Sequence, residues 1–262
     1  MVKVQIVIDD MGSSLSRDLA GAALIHAHPG TCVGSVMVTS AHATQNASRI
    51  ADCFEFLDIV PTQEAVGLHL NLTEGPGLCA EAWTLHRPKR RTAMLGKHNF
   101  YAAADMGLLL PAHVEGEVRA QLEAFRRAFG FYPRRVDGHQ HCHLHPVVVA
   151  VLCRLATQYG IRRTRHPPID ALADPACRAC YRASKQRHAL TFGRAGITAA
   201  DGLVGLRWCH GKYSLEDLID EVSRARRRGS QTVEVMTHPS FMTAELNIVT
   251  QFLAQLQRGN EL

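Results

Sequence analysis

Residues 136–146 restrict the fold of this 262-residue chain more than any other segment. The segment reads VDGHQHCHLHP, with an acid or an imidazole at every second position: Asp137, His139, His141, His143 and His145. Because side chains alternate between the two faces of an extended strand, this spacing predicts that all five point to one side. A strand rises about 3.3 Å per residue, so the five groups would span roughly 26 Å. A single ion would therefore bind only one or two of them.

Apolar runs alternate with helical patterns along the rest of the chain. Strands are predicted at residues 4–8, 32–39, 65–72, 161–164, 202–206 and 232–236. Helices are predicted from Ser14 to about residue 27, and at residues 41–57, 114–129, 147–160, 215–228 and 246–256. Strands that alternate with helices favour parallel pairing through crossover connections. The sequence therefore predicts one α/β domain over residues 1–262, with about seven β–α units.

Two segments have no clear periodicity. Residues 73–112 are rich in glycine, proline and mixed charge, and we predict a long loop over the functional site. This loop includes a basic cluster near Arg90, for which the sequence indicates no ligand. Residues 166–200 contain Cys177 and Cys180, whose C-x2-C spacing is a weak zinc signal without a second ligand pair. The eight cysteines are expected to be reduced thiols.

The composition restricts the class of partner. The net charge is +5, and the basic clusters contain no interleaved aromatic residues, so no nucleic-acid partner is expected. No run approaches the roughly 20 apolar residues of a membrane helix, and the first ten residues lack the apolar core of a signal peptide. We therefore expect a cytoplasmic protein without a membrane partner. A homodimer is compatible with the sequence.

Polar residues directly follow four of the apolar runs. They are Asp9 and Asp10, His69, the segment from Asp137, and His238. Each has an ordinary explanation when it is taken alone, such as the interaction of acids with a helix dipole. The carboxyl ends of parallel strands meet at one edge of the sheet, however, so these side chains are predicted to converge. One aspartate with two histidines suits zinc, magnesium, manganese or ferrous iron, and a second carboxylate would serve as a base in metal-assisted hydrolysis.

Four motifs give the chain a family resemblance. IVIDDMG, VGLHLNLTEG, VDGHQHCHLHP and EVMTHPSF, in this order, closely resemble the YdjC-like carbohydrate deacetylase family, which includes chitooligosaccharide deacetylases. The resemblance covers roughly residues 1–241. It implies an irregular (β/α) barrel of about seven strands, similar to polysaccharide deacetylases. It also implies an acetylated amino-sugar substrate and a divalent metal ion, generally magnesium, with zinc as the alternative. Ile8 and Met11 replace the alanine and phenylalanine that usually flank the two acids.

The resemblance also implies roles for individual residues. By motif position, Asp10, His69 and His139 would bind the metal, and Asp9 would act as the base. His238 is the candidate for stabilising the oxyanion or protonating the departing amine.

The other polar residues of the histidine segment are assigned supporting roles. Asp137 is expected to orient a histidine, because ligating imidazoles usually donate to a second group. His141 and His143 are candidates for substrate contact or an alternative ligand. His145 precedes Pro146 and is expected to be structural.

Two other functions stay open from the sequence. The same ligands would polarise a phosphoryl oxygen in a phosphoesterase. A metal- or sugar-binding module without catalysis is the second alternative. The family normally continues beyond residue 241 with a longer segment that closes the barrel, so incomplete closure is an expectation for this chain.

Overall fold

The structure is a computed structural model that describes residues 2–39, 46–88, 90–166, 188–207, 213–241 and 243–258. The C-x2-C pair of Cys177 and Cys180 lies outside the described residues. So do Lys89 of the basic cluster and the side chains of Arg90 and Arg91.

The described chain contains eight strands in two sheets. They are β1 (Lys3–Met11), β2 (Cys32–Val36), β3 (Val66–Leu70), β4 (His86–Arg87), β5 (Arg90–Met94), β6 (Val136–Gly138), β7 (Gly202–Val204) and β8 (Thr232–Thr237). The main sheet has six strands in the order β6-β3-β2-β1-β8-β7, and every pair in it is parallel. Strands β2 and β3 are buried along their whole length, as expected for a parallel sheet with both faces covered.

Helices follow the strands as the alternating pattern predicts. They are α1 (Leu15–Ala27), α2 (Asn46–Phe56), α3 (Lys97–Asp105), α4 (Pro111–Phe129), α5 (Pro146–Tyr159), α6 (residues 188–194), α7 (Leu215–Arg227) and α8 (Ala244–Gln257). Ser14 caps α1, and Ser214 forms a capping box with Asp217 at the start of α7. None of the described helices combines the length and the apolar character that a membrane crossing requires.

The predicted strand at residues 161–164 is reduced to a pair of isolated bridges. Arg163 pairs in parallel with Arg135, which precedes β6, and with Thr198, which precedes β7. Because β6 and β7 are the two edge strands of the main sheet, this segment links the edges and takes the place of a seventh strand. The predicted α/β fold with about seven strands is confirmed.

The predicted irregular loop at residues 73–112 is wrong in its details. It contains a short 3₁₀ helix (Trp83–Leu85), the antiparallel hairpin of β4 and β5, and α3. Strand β4 has only two residues, which is too short for an alternating pattern to reveal. Helix α3 buries Phe100, Tyr101 and Ala104 on one side, a shorter apolar stripe than sequence patterns detect.

The predicted five-residue face of the histidine segment is also wrong. Strand β6 ends at Gly138, and the chain continues as a 3₁₀ helix (His139–Leu144) in which Gln140 and His141 have φ angles of 52° and 60°. The reversal depends on Gly138, because a Cβ there would lie 2.7 Å from His143 Nδ1 and 2.9 Å from the His143 backbone nitrogen. The chain therefore folds back over the glycine, and the histidines point in different directions.

Candidate functional site

Asp10, His69 and His139 converge at the carboxyl ends of β1, β3 and β6. Asp10 Oδ1 lies 2.8 Å from His139 Nδ1 and 3.3 Å from His69 Nε2. One ligand atom from each of the three residues lies within 4.8 Å of the others. The three residues that the resemblance implies as metal ligands thus lie together at the carboxyl edge of the sheet, where the sequence predicted that they would converge.

Asp10 lies at an irregular position near the end of β1, where the chain enters a turn closed by the Ser13 N–H and the Asp10 carbonyl. Its φ angle is 58°, and the pairing of β1 with β2 shifts register between Ile8 and Met11. The turn is held from two helices. The Gly12 N–H donates to Asp18 Oδ1 at 2.6 Å, and Arg49 donates both to the Gly12 carbonyl at 2.9 Å and to Asp18 Oδ2 at 2.8 Å. These hydrogen bonds hold Asp10 in its left-handed backbone conformation.

His69 is oriented by Asp137. His69 Nδ1 lies 2.6 Å from Asp137 Oδ1, which also accepts a hydrogen bond from the Ser35 hydroxyl. Burial lowers the pKa of His69, but the charges of Asp9 and Asp137 outweigh it and raise that pKa to about 10. With Nδ1 held by a carboxylate, the ring presents Nε2 to Asp10, which is the usual arrangement of a metal-binding histidine. The sequence predicted that Asp137 orients a histidine, and in the structure its carboxylate contacts His69.

His139 lies between two carboxylates. Its Nδ1 faces Asp10, and its Nε2 lies 2.8 Å from Glu74 Oε1. Burial lowers the pKa of His139, but the charge of Asp10 and hydrogen bonds to both carboxylates raise it to about 9. The sequence reasoning did not single out Glu74, although it lies in the VGLHLNLTEG motif.

Asp9 lies in a buried charge network next to His69. Arg165 donates to its two carboxylate oxygens at 2.6 and 2.7 Å, and also donates to Glu234 Oε1 at 2.6 Å. A second buried arginine, Arg135, donates to Glu234 at 2.7 Å and to Asp137 at 3.0 Å. Burial raises the pKa of Asp137, but Arg165 and Arg135 outweigh it and hold that pKa well below its usual range.

This network of two arginines and three carboxylates was missed by the sequence reasoning. Two signals for it were present. Arg165 directly follows the predicted strand at residues 161–164, so it is also expected at the carboxyl edge of the sheet. Glu234 is an acid inside the apolar run TVEVM, and a buried charge requires a partner.

His238 lies on the other side of Asp10. Its Nε2 is 3.7 Å from Asp10 Oδ2, and its backbone N–H donates to Glu245 Oε1 at 2.5 Å. Thr237 donates to the same Glu245 oxygen at 2.6 Å. The end of β8 is therefore anchored to α8, and the His238 side chain stays 20% exposed at the site.

The remaining histidines of the segment have separate environments. His143 is fully buried and its Nε2 donates to the Arg165 carbonyl at 2.9 Å, so it supports the site instead of reaching substrate. His141 is partly exposed, and its Nδ1 has no hydrogen-bond partner among the described residues. Burial and the charge of Arg165 lower the pKa of His141 well below its usual value. His145 accepts a hydrogen bond from the Val147 N–H at 3.3 Å and caps α5, as its expected structural role requires.

The donors around Asp10 fit a divalent metal ion. A carboxylate oxygen and two imidazole nitrogens form a typical three-residue set that leaves coordination positions for water and substrate. A second group of nearby ligand atoms consists of Asp9, His69 and Asp137. It fits an ion less well, because the two carboxylates already accept hydrogen bonds from buried arginines.

Comparisons with known proteins agree with the motifs. The family model described as YdjC-like protein matches residues 3–262, beyond residue 241 where the recognisable motifs end. A carbohydrate deacetylase from Mus musculus is 30% identical over 256 residues, which cover 92% of this chain and 78% of that protein. A chitooligosaccharide deacetylase from Citrobacter koseri is 28% identical over 236 residues, covering 86% of this chain and 79% of that protein.

A solved structure shares the fold. It belongs to a candidate cellobiose-phosphate cleavage protein from Enterococcus faecalis and superposes with a TM-score of 0.72. The match covers 98% of this chain and 94% of the other, with 16% sequence identity. At this identity, the similarity concerns the architecture alone.

Proposed function

Since the chain belongs to the YdjC-like protein family, we propose that it is a metal-dependent hydrolase that removes the acetyl group from acetylated amino sugars such as chitooligosaccharides. The main support in the structure is the convergence of Asp10, His69 and His139. Further support comes from relatives named carbohydrate deacetylase and chitooligosaccharide deacetylase.

Asp10, His69 and His139 would hold the metal. When bound there, a divalent ion supplies Lewis acidity toward water and toward the acetamide carbonyl. Imidazole nitrogens suit zinc, whereas magnesium usually takes oxygen ligands. The donors thus favour zinc and the family resemblance implies magnesium, so metal analysis of the purified protein distinguishes the two.

Asp9 and His238 carry out the proton transfers. In this proposal, Asp9 accepts a proton from the water that attacks the acetyl carbon, while Arg165 keeps the carboxylate in one orientation through two hydrogen bonds. His238 Nε2 donates a proton to the amine nitrogen as the carbon–nitrogen bond breaks. The products are acetate and the free amino sugar.

An acetate-release assay tests the proposed function. The purified protein, loaded separately with Zn²⁺ or Mg²⁺, is incubated with N-acetylglucosamine and its oligomers, and acetate is quantified with and without a chelator. We expect release that depends on the ion. Release of phosphate from phosphorylated sugars without any acetate would instead identify a phosphoesterase. Binding of metal and sugar without either product would identify a binding module.

Metal content tests the three proposed ligands. Asp10→Ala, His69→Ala and His139→Ala should each lose most of the bound ion, because each removes one of three protein donors. Elemental analysis after dialysis provides the measurement. His26→Ala and Asp52→Ala are matched controls, since both residues are exposed and lie in α1 and α2. A ligand variant that retains as much ion as these controls would not belong to the metal site.

A further inference from the structure

The two histidines of the metal centre have matching environments. His69 turns Nε2 to Asp10 and Nδ1 to Asp137. His139 turns Nδ1 to Asp10 and Nε2 to Glu74, at 2.8 Å in both cases. Each ring therefore lies between Asp10 and a second carboxylate. A ligating histidine normally donates its other N–H to such a group, which fixes the ring orientation and the nitrogen that faces the ion.

Glu74 is held in place through its backbone. The Asn71 Oδ1 accepts the Glu74 N–H at 3.2 Å and the Thr73 N–H at 3.1 Å. The Asn71 Nδ2 donates to the Glu74 carbonyl at 2.8 Å and to the Thr39 carbonyl at 3.1 Å. Asn71 is fully buried, and both of its backbone polar groups bond to the side chain of Gln121. The position of the Glu74 backbone is thus set before any ligand binds.

Glu74 differs from Asp137 in its exposure. Asp137 is fully buried and bonded to Ser35 and Arg135, whereas the Glu74 side chain is 37% exposed. A change at Asp137 would therefore disturb the core as well as the site. Glu74 also accepts a hydrogen bond from Gln140 Nε2 at 3.5 Å, but its partly exposed side chain lies outside the core, so its contribution can be measured separately from folding.

We infer that Glu74 is a positioning residue that orients His139 toward the metal ion, as Asp137 orients His69. This inference rests on the proposed metal site at Asp10 and goes beyond it, because it assigns a role to a residue outside the three proposed ligands. Loss of an outer carboxylate of this kind typically weakens metal affinity 10- to 100-fold.

The experiment compares Glu74→Gln and Glu74→Asp with the control Glu81→Gln. Glu81 lies in the same segment, residues 73–112, is exposed, and contacts the Cys79 thiol instead of the site. The dissociation constant for Zn²⁺ is measured by competition with a chromophoric chelator, and unfolding of the metal-free variants is followed by heating. We expect Glu74→Gln to bind Zn²⁺ about 10- to 100-fold more weakly than the parent, with unchanged metal-free unfolding. Glu74→Asp should recover part of the affinity, and Glu81→Gln should match the parent.

A second readout separates orientation from general damage. If Glu74 acts through metal affinity, excess Zn²⁺ restores kcat of Glu74→Gln toward the parent value, whereas a structural defect would persist at any metal concentration. Equal Zn²⁺ affinity of Glu74→Gln and Glu81→Gln would overturn the inference and leave the proposed function intact. A parent protein that binds Zn²⁺ but releases no acetate would overturn the proposed function while the affinity difference still decides the role of Glu74.

Discussion

Replacement of Asp9 by asparagine is expected to lower kcat for acetate release by about 10²- to 10⁴-fold, the range that a general base typically contributes. The amide cannot accept the proton of the attacking water. Asp9 is hydrogen-bonded to Arg165 and is not one of the three proposed ligands, so the variant should keep its metal ion. Acetate release tests the loss of kcat, and metal content of the same preparation tests whether the ion is retained.

The control for this prediction is Asp52→Asn, the same substitution at an exposed position in α2. Its kcat should equal that of the parent. An Asp9→Asn variant with the parent kcat would exclude Asp9 as the base. A variant that loses its ion would place Asp9 among the residues that support the metal site. Thermal unfolding of both variants shows whether loss of the Arg165 partner has weakened the fold.

The sequence predicted which residues would meet because that question depends mainly on topology. Asp10, His69 and the start of the histidine segment lie at or near the carboxyl ends of three apolar strands, and parallel strands end at a common edge. This convergence does not depend on exact strand lengths, since β6 has only three residues and β1 runs through both aspartates.

The local conformation of the histidine segment could not be predicted in the same way. The alternating spacing is typical of a strand, and the sequence contains no proline between residues 137 and 145 to interrupt one. The turn depends on the close contact between Gly138 and His143, and on left-handed conformations at Gln140 and His141. The alternating spacing of polar residues shows neither feature, so the local pattern indicates the wrong structure.

The contacts of the charged residues Arg165, Glu234 and Glu74 were missed because their partners are distant in sequence. Arg165 bonds to Asp9 across 156 positions and to Glu234 across 69. No periodicity relates such residues, and Arg165 lies within a basic stretch that resembles an exposed surface. Glu74 and His139 are likewise 65 positions apart, and only the folded chain brings them into contact.

Replacement of Arg165 by methionine is expected to lower the free energy of unfolding by about 3–5 kcal/mol, the typical cost of removing one partner from a buried ion pair. Arg165 is 1% exposed, and its loss leaves Asp9 without its two hydrogen bonds and removes one from Glu234. Methionine preserves much of the side-chain volume, so the effect reports the missing charge and hydrogen bonds. Urea unfolding in the presence of a chelator provides the measurement, because a bound ion would add its own stabilisation.

Arg134→Met is the matched control for this prediction. Arg134 donates to Glu64 at 2.8 Å, a distance close to the 2.6 Å between Arg165 and Asp9, but its side chain is 53% exposed and that of Glu64 is 54% exposed. Solvent screens an exposed pair, so this substitution should cost only about 0–1 kcal/mol. The difference between the two variants reports the burial of Arg165 together with its two additional hydrogen bonds. Equal, small losses would show that Asp9 and Glu234 do not depend on Arg165, and that the buried network does not stabilise the fold.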